Sequence, residues 1–527
     1  MSELTEQTEQ TELTELIGQE RSSILFRDVY LYDAAAGSGM TGPTDLLVAG
    51  REIAAIGSAA RSSATDETEI IQGCGHHLIV PGLINAHFHS PANHLKGSLP
   101  SLPLELFMLY ESPLDAELAP TPREVYLRTM LAAMEMLKTG TTSVQDDAFL
   151  MPHPSEEVID AVMQAYADCG IRASVALDQP ELAESAKLPY LGSIEDALLR
   201  RSLDSPAPMG RAELLEHYRY LIERWNGAHN GRLTAAVSVS APQRVSAEYF
   251  EALNELSARH SIPLFAHMLE TKVQRALASE QPRFQGRSLV EYTSDLGLLD
   301  ERTNVIHAVW TSARDLQLIA EAGSTIAHNP VSNLRLGSGV APYRMIKDLG
   351  IPVALGIDEA ICDDSANMWG VVKMTGLIHN ISGGDSESWP SAAEVLQDLW
   401  EGGATSLLKA RSLGRVEPGY LADLAMLDLH TAAFTPLNDL RGQLVYCESG
   451  TSVRVTVVNG RIVFRDGALT GVDEESILDE SRELFARKLP SIRRARDGAK
   501  AVHSQYQAIV AAAAAADLGM NRWIQHA

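Results

Sequence analysis

His87 and His89 stand two residues apart at the end of the apolar run Leu78-Ile79-Val80-Pro81-Gly82-Leu83-Ile84-Asn85-Ala86. On a strand, residues i and i+2 share a face, so both imidazoles can close on one metal ion. Three more features follow apolar runs: Phe265-Ala266-His267-Met268-Leu269-Glu270, Val305-Ile306-His307 and Ala354-Leu355-Gly356-Ile357-Asp358. Singly they read as a buried histidine, a solvated glutamate or an N-capping aspartate. Jointly, three neutral imidazoles and a carboxylate make a nitrogen/oxygen donor set for Zn²⁺ or Fe²⁺. Such an ion with an open position brings the pKa of water down toward about 7. One carboxylate beside that water can take its proton, and a second, protonated carboxyl can pass one to a substrate. Hydrolysis is the chemistry these residue types suit.

Positioning them takes strands that end at one mouth. Strand-like runs at 78–87, 142–145, 172–177, 235–240, 264–267, 304–307, 325–328 and 353–358 alternate with helix-like runs at 122–138, 155–168, 211–225, 247–260, 313–322 and 392–408. That is about eight strand–helix units, the pattern of an α/β (β/α)8 TIM-type barrel with its chemistry at the strands' carboxyl ends. Short strands and turns at 23–80 recur near the other end, with a hairpin turning at Gly50 and another at Asn459-Gly460. They predict one small composite β-sandwich domain built from both chain ends. The expected division is an acidic, disordered tail at 1–22, rich in Thr-Glu-Gln repeats, and a first β part at 23–80. The barrel follows at 81–415, a second β part at 416–474 and a helical extension at 475–527.

Composition bounds the partners. The 527 residues are 45% hydrophobic with a formal net charge of −26, which argues against nucleic acid or an anionic membrane. Cys74, Cys169, Cys362 and Cys447 lie far apart and form no CxxC pair, so they read as reduced thiols. No apolar run is long enough to span a bilayer, and the acidic start is unlike a signal peptide, so a cytoplasmic address is expected.

Pro81-Gly82-Leu83-Ile84-Asn85-Ala86-His87-Phe88-His89 resembles the first-strand signature of the amidohydrolase superfamily. Thr325-Ile326-Ala327-His328-Asn329-Pro330-Val331-Ser332-Asn333-Leu334-Arg335-Leu336-Gly337 is similar to the seventh-strand region of its mononuclear deaminase/chlorohydrolase branch, which holds guanine, cytosine and S-adenosylhomocysteine deaminases and triazine hydrolases. Leu413-Gly414-Arg415-Val416-Glu417-Pro418-Gly419 resembles the family's return into its small β-domain. The resemblance implies His87, His89 and His267 as imidazole ligands and Asp358 as both carboxylate ligand and base. It implies Glu270 as the proton shuttle to a ring nitrogen or leaving group, and His307 as the group that polarises or orients substrate or water. Binuclear members bridge two metals with a carboxylated lysine; the segment 235–242 has none, so one divalent metal per chain follows, Zn²⁺ first and Fe²⁺ second.

The chain departs from its relatives at Ser240-Ala241-Pro242-Gln243-Arg244, where many carry a histidine. Gln243 and Arg244 are expected to face the pocket, Arg244 as an anchor for a carboxylate, phosphate or carbonyl, or else as a surface residue opening a helix. Asn93 and His94 are candidate substrate contacts on the loop after the first strand, and residues 105–111 read as a helical lid. Asp146 and Asp147 either reach the pocket or are loop carboxylates. Glu359, Asp363 and Asp364 add negative charge for a cationic substrate or form a solvated loop. The expected function is a metal-dependent aminohydrolase that releases ammonia from a small nitrogen heterocycle, in a homo-oligomer (dimer or tetramer). The rivals are dechlorination or amine removal on a triazine, hydrolysis of a cyclic amide, and a catalytically dead scaffold.

Overall fold

The computed structural model describes residues 23–111, 118–382 and 384–524, so the tail reading at 1–22 lies outside the described residues. The first half of a composite sheet comprises β1 (Ser23–Tyr32), β2 (Met40–Ala49), β3 (Glu52–Ile56), β4 (Glu69–Gln72) and β5 (His77–Pro81). The second half comes from the other end of the chain, and its strands are β15 (Leu424–Asp428), β16 (Val453–Val458), β17 (Arg461–Arg465) and β18 (Ala468–Leu469). The nine strands run β18-β17-β16-β15-β5-β1-β2-β3, with β4 alongside β1. The joint is the antiparallel β5–β15 pair, with Val80 opposite Ala425. Phe26, Val29, Leu46, Ile79, Leu424 and Val457 form the core of this sheet. Both expected hairpins turn where left-handed backbone is supplied, at Gly50 (φ 59°) and at Asn459-Gly460 (φ 51° and 78°).

The intervening chain forms the (β/α)8 barrel. Its strands are β6 (Leu83–Phe88), β7 (Thr141–Ala148), β8 (Arg172–Leu177), β9 (Leu233–Ala235) continued by β10 (Val237–Ser238), β11 (Leu264–Met268), β12 (Thr303–His307), β13 (Thr325–His328) and β14 (Val353–Leu355). They are parallel within two arcs, β6 to β9 and β10 to β14. The Ala236 N–H donates to Val175 O at 2.8 Å across one seam, and the Asp358 N–H donates to His87 O at 2.9 Å across the other. Ala176, Ala236, Phe265, Ile306 and Ala327 pack together on one layer of the barrel wall.

Two of the differences from expectation fall at glycines. The run 78–87 is not one strand; it breaks at Gly82 into β5 and β6, which belong to different sheets. A Cβ at Gly82 would lie 2.2 Å from the Thr142 side chain, so only glycine lets the chain pass from sheet to barrel there. The helix expected at 392–408 carries a π turn at Asp398–Gly402. There the helix sits directly on the barrel: a Cβ at Gly402 would lie 1.7 Å from Val353 O.

The extension forms two helices, Glu474–Ala499 and His503–Ala515, folded against the helices Leu104–Glu111 and Pro122–Lys138. Lys488 Nζ pairs with Glu124 Oε1 at 2.6 Å. Tyr506 and Ile509 pack with Leu106 and Val273. Trp523 meets Trp310 edge to face at 5.2 Å, and Arg522 Nε donates to Val309 O at 3.0 Å. These contacts fall on helices and loops that follow β6, β11 and β12, so the extension roofs the barrel mouth. Among the described residues no helix is long and apolar enough to cross a membrane.

Candidate metal centre

Strand ends supply every member of the central cluster. His87 Nε2 lies 3.2 Å from His267 Nε2 and 3.2 Å from Asp358 Oδ1. His89 Nε2 lies 3.4 Å from the same oxygen. His307 Nε2 is 3.9 Å from Asp358 Oδ2 and 3.6 Å from Glu270 Oε2. His87, His89, His307, Glu270 and Asp358 are all buried. The backbone bends sharply to aim them: Ser240, Leu269, His307 and Asp358 all have positive φ, between 56° and 74°. Left-handed backbone at non-glycine residues costs about 1–3 kcal/mol apiece, and its concentration at these strand ends marks a functional constraint.

Hydrogen bonds behind the ring explain which nitrogens face inward. His267 Nδ1–H donates to Ser240 O at 2.7 Å, and His89 Nδ1–H donates to Asp147 O at 2.5 Å. Both Nε2 atoms are therefore bare and turn their lone pairs to a common point. Burial holds His87 and His267 down to about 3, so both stay neutral. Burial also lowers His89, but Asp358, Asp178 and Asp147 outweigh it and raise the group. Asp358 is well below the usual carboxylate range: burial opposes ionisation, while the His87 contact and the surrounding imidazoles overcome it. The bare Nε2 atoms of His89 and His267, close to His87 Nε2 and to one carboxylate, fit a divalent cation of nitrogen/oxygen preference.

The second carboxyl has the opposite character. Burial first, then the nearby Asp358 and Glu105, push Glu270 well above the usual range, which favours its protonated form. Its Oε1 is buried without a partner. Thr271, beside it, donates its hydroxyl to Glu105 Oε1 at 2.7 Å. Glu111 and Glu359 form a further buried carboxyl pair that shares a hydrogen bond; burial raises Glu111 to about 7 and Glu359 well above its ordinary value.

The other expected contacts are scattered. Asn93 turns away, donating Nδ2–H to Arg128 O at 3.3 Å. His94 stacks on Phe485 at 5.1 Å and lines a cavity beside the centre. Gln243 is buried and accepts from Arg283 through its carbonyl. Arg244 is tied to Asp178 at 3.5 Å and lies over the Phe149 ring at 5.6 Å. Asp146 accepts from the Ser90 N–H at 3.0 Å and the Tyr166 hydroxyl at 2.8 Å, while Asp147 accepts from Ser238 Oγ at 2.8 Å. Both are fully buried props of the wall rather than loop carboxylates. Asp364 binds Arg335 at 2.9 Å.

Sequence reasoning missed Asp178, which lies 4.0 Å from His89 Nδ1, although its place directly after β8 was the available signal. It also missed Ser332, whose hydroxyl donates to Asp358 Oδ2 at 2.6 Å, and Asn333, whose Oδ1 accepts from His307 Nδ1 at 2.9 Å. Both sit on the short helix Pro330–Arg335, one of several elements that meet at the centre.

Known proteins agree with this architecture. A model of the amidohydrolase family matches residues 78–463. A 5'-deoxyadenosine deaminase from Methanococcus maripaludis is 30% identical over 84% of this chain and 96% of its own length. A 5-methylthioadenosine/S-adenosylhomocysteine deaminase from Syntrophomonas wolfei is 29% identical over 89% of this chain and 95% of its own. Among solved structures, an atrazine chlorohydrolase from Arthrobacter aurescens complexed with zinc superposes with a TM-score of 0.76 at 24% identity, over 88% of this chain and 99% of that one. An adenosine deaminase from Xanthomonas campestris with bound zinc gives 0.74 at 23% identity, over 90% of this chain and 98% of that one. With most of its length matched by the family model and by deaminases of nearly the same extent, the chain belongs to the amidohydrolase family, as a metal-dependent aminohydrolase.

Proposed function

We propose that the chain deaminates adenine nucleosides altered at the 5′ position, replacing the ring amino group with oxygen and releasing ammonia. The observation that carries the reading is the divergent pair of carboxyls: His307 Nε2 lies within 3.9 Å of both, and their surroundings push Asp358 down toward the ionised form and Glu270 up toward the protonated one. Two carboxyls pushed apart by their surroundings separate the base from the acid. The relatives that span nearly the whole chain, and are named for 5'-deoxyadenosine and 5-methylthioadenosine, support the substrate class.

His87, His89, His267 and Asp358 would hold the ion, which when bound supplies a Lewis acid that makes water nucleophilic near neutral pH. Asp358 takes the proton from the attacking water. Glu270 gives its proton to the ring nitrogen next to the attacked carbon. His307, whose Nδ1–H is held by Asn333 Oδ1, turns a bare Nε2 toward Glu270 and Asp358 and orients the attacking water. The proton held by Asp358 then passes to the amino group; as the C–N bond breaks and ammonia leaves, the remaining hydroxyl proton returns to Glu270 and the ring carbon becomes a carbonyl. The proposal includes one zinc ion per chain, a homodimeric or tetrameric assembly and a cytoplasmic address.

The test is ammonia release from 5'-deoxyadenosine and 5-methylthioadenosine by zinc-loaded protein, with chloride release from a chlorotriazine run in parallel. Ammonia from the nucleosides, at a kcat/KM at least about a hundredfold above any triazine turnover, is the expected result. Chloride release without nucleoside turnover overturns the proposal.

A further inference from the structure

Outside the barrel, His76, His77, His430 and Asp428 gather where the two halves of the composite sheet are joined. Strand β5 comes from the first half and β15 from the second, and His77 stands opposite Asp428 at the end of their antiparallel pairing. Just beyond it, the Leu429 N–H donates to His76 O at 2.9 Å. Neighbours on a strand point to opposite faces. His76 and His77 depart from that rule because the chain turns immediately before them, with Cys74 and Gly75 in left-handed backbone (φ 52° and 67°). Both of their N–H groups donate to Gly73 O at 3.1 Å, and the two rings come to lie 4.4 Å apart.

The turn also decides which nitrogens are offered. His76 Nδ1–H donates to Cys74 O at 3.1 Å, and His77 Nδ1–H donates to Gly73 O at 2.8 Å. A ring whose Nδ1–H is held by a carbonyl keeps Nε2 as its lone-pair donor, the arrangement that supports metal-ligating histidines. His430 stacks on His76 with 4.1 Å between centroids and 6° between planes, which steadies that ring. Asp428 Oδ1 accepts the His430 N–H at 2.8 Å and lies 3.9 Å from His76 Nε2. Its Oδ2 accepts from Arg454 Nη2 at 3.1 Å. One donor atom each from His76, His77 and Asp428 falls within 4.8 Å of the other two. Ligands around a four-coordinate zinc stand about 3.3 Å apart, so a shift of about an ångström by these partly exposed side chains closes the set.

We propose that His76, His77 and Asp428 form a second metal site, which takes a divalent first-row ion such as zinc and clips the two halves of the sheet together. Two imidazoles and a carboxylate select such an ion over Mg²⁺ or Ca²⁺, which take oxygen ligands. The ligands come from opposite ends of the chain, so an ion bound only when the sheet is joined stabilises the joint. With three protein ligands, the Arg454 charge close by and an open side toward water, this ion exchanges readily, unlike the enclosed ion of the barrel. The proposal does not depend on the nucleoside reading.

The test uses the full-length chain, desalted so that only the barrel's zinc is retained. Calorimetric titration with Zn²⁺ is expected to show one further ion per chain, and saturation to raise Tm by about 1–3 °C. His77→Gln should keep the barrel's ion but weaken the second by about a hundredfold or more, because a lost ligand costs more than a lost outer partner. It should also cancel the rise in Tm. Asp428→Asn should behave in the same way, and retention of the barrel's ion shows that either variant is folded. His430→Ala removes only the stacked ring and should weaken the second ion by about tenfold. Mg²⁺ in place of Zn²⁺ should give neither binding heat nor a rise in Tm. A second ion held as tightly by His77→Gln as by wild type, equal binding of Mg²⁺, or zinc uptake without a rise in Tm overturns the proposal.

Discussion

Two residues of the centre separate binding from chemistry. Glu270 lies 3.6 Å from His307 Nε2, and burial pushes it toward its protonated form. Glu270→Gln is therefore expected to retain stoichiometric metal while kcat falls by about 10²–10⁴, the usual worth of a positioned acid. An unchanged rate would remove Glu270 from the proton path. His267 is different: its Nε2 is 3.2 Å from His87 Nε2, and its Nδ1 is anchored on Ser240 O. His267→Ala should purify with little metal, and full metal content by elemental analysis would refute its place as a ligand. These residue types and their strand-end positions were legible locally, since each candidate ligand closes a short apolar run. The props were not: Ser332 and Asn333 belong to a helix whose approach to Asp358 and His307 depends on how the whole barrel closes.

At the scale of elements, precision comes from close backbone approach. At Gly356, just past β14, a Cβ would lie 2.3 Å from Asn329 Oδ1 and 2.9 Å from His87 Cβ. Gly356→Ala must therefore push β6 and its two histidines away from Asp358. The expected result is a stability loss of about 1–3 kcal/mol together with weaker metal binding, read by denaturant unfolding and by metal titration. Unaltered metal affinity would mean that the seam yields elsewhere. The same principle explains the differences from the expected elements. An apolar run announces a strand, but the divisions at Gly82 and at the π turn of Asp398–Gly402 arise from contacts with Thr142 and Val353 that a linear pattern does not contain.

For the whole molecule, pH and metal act on the same equilibrium. His328 and His379 lie outside the centre, with Nε2 atoms 3.0 Å apart. Burial lowers His379 to about 3 and drives His328 well below its ordinary value. Unfolded, both titrate near 6.5, so the unfolded state binds more protons from there down to about 3. Their contribution is complete above about pH 6.5 and is lost as pH falls through that window. Unfolding midpoints should drop between pH 6.5 and 4, and His379→Gln should make the decline shallower by up to about 1.4 kcal/mol per pH unit. An identical slope would remove His379 from the acid transition. Chelation should lower Tm at neutral pH, since an ion held at a thousand times its Kd adds about 4 kcal/mol. No change in Tm on chelation would argue against a tightly held ion.

The sequence by itself determined the barrel, the composite sheet, and the histidines and carboxyls gathered at its mouth, because strand periodicity and strand-end chemistry are local properties. Only the tertiary structure decided which imidazole nitrogens turn inward, which of two carboxyls is pushed toward protonation, and that the extension roofs the mouth with Phe485, Lys488 and Ile492. Tautomer, protonation and enclosure are set by neighbours that folding brings together from remote parts of the chain. His87 and His89 could be read as a pair from their spacing alone; what they face is decided by residues far beyond them.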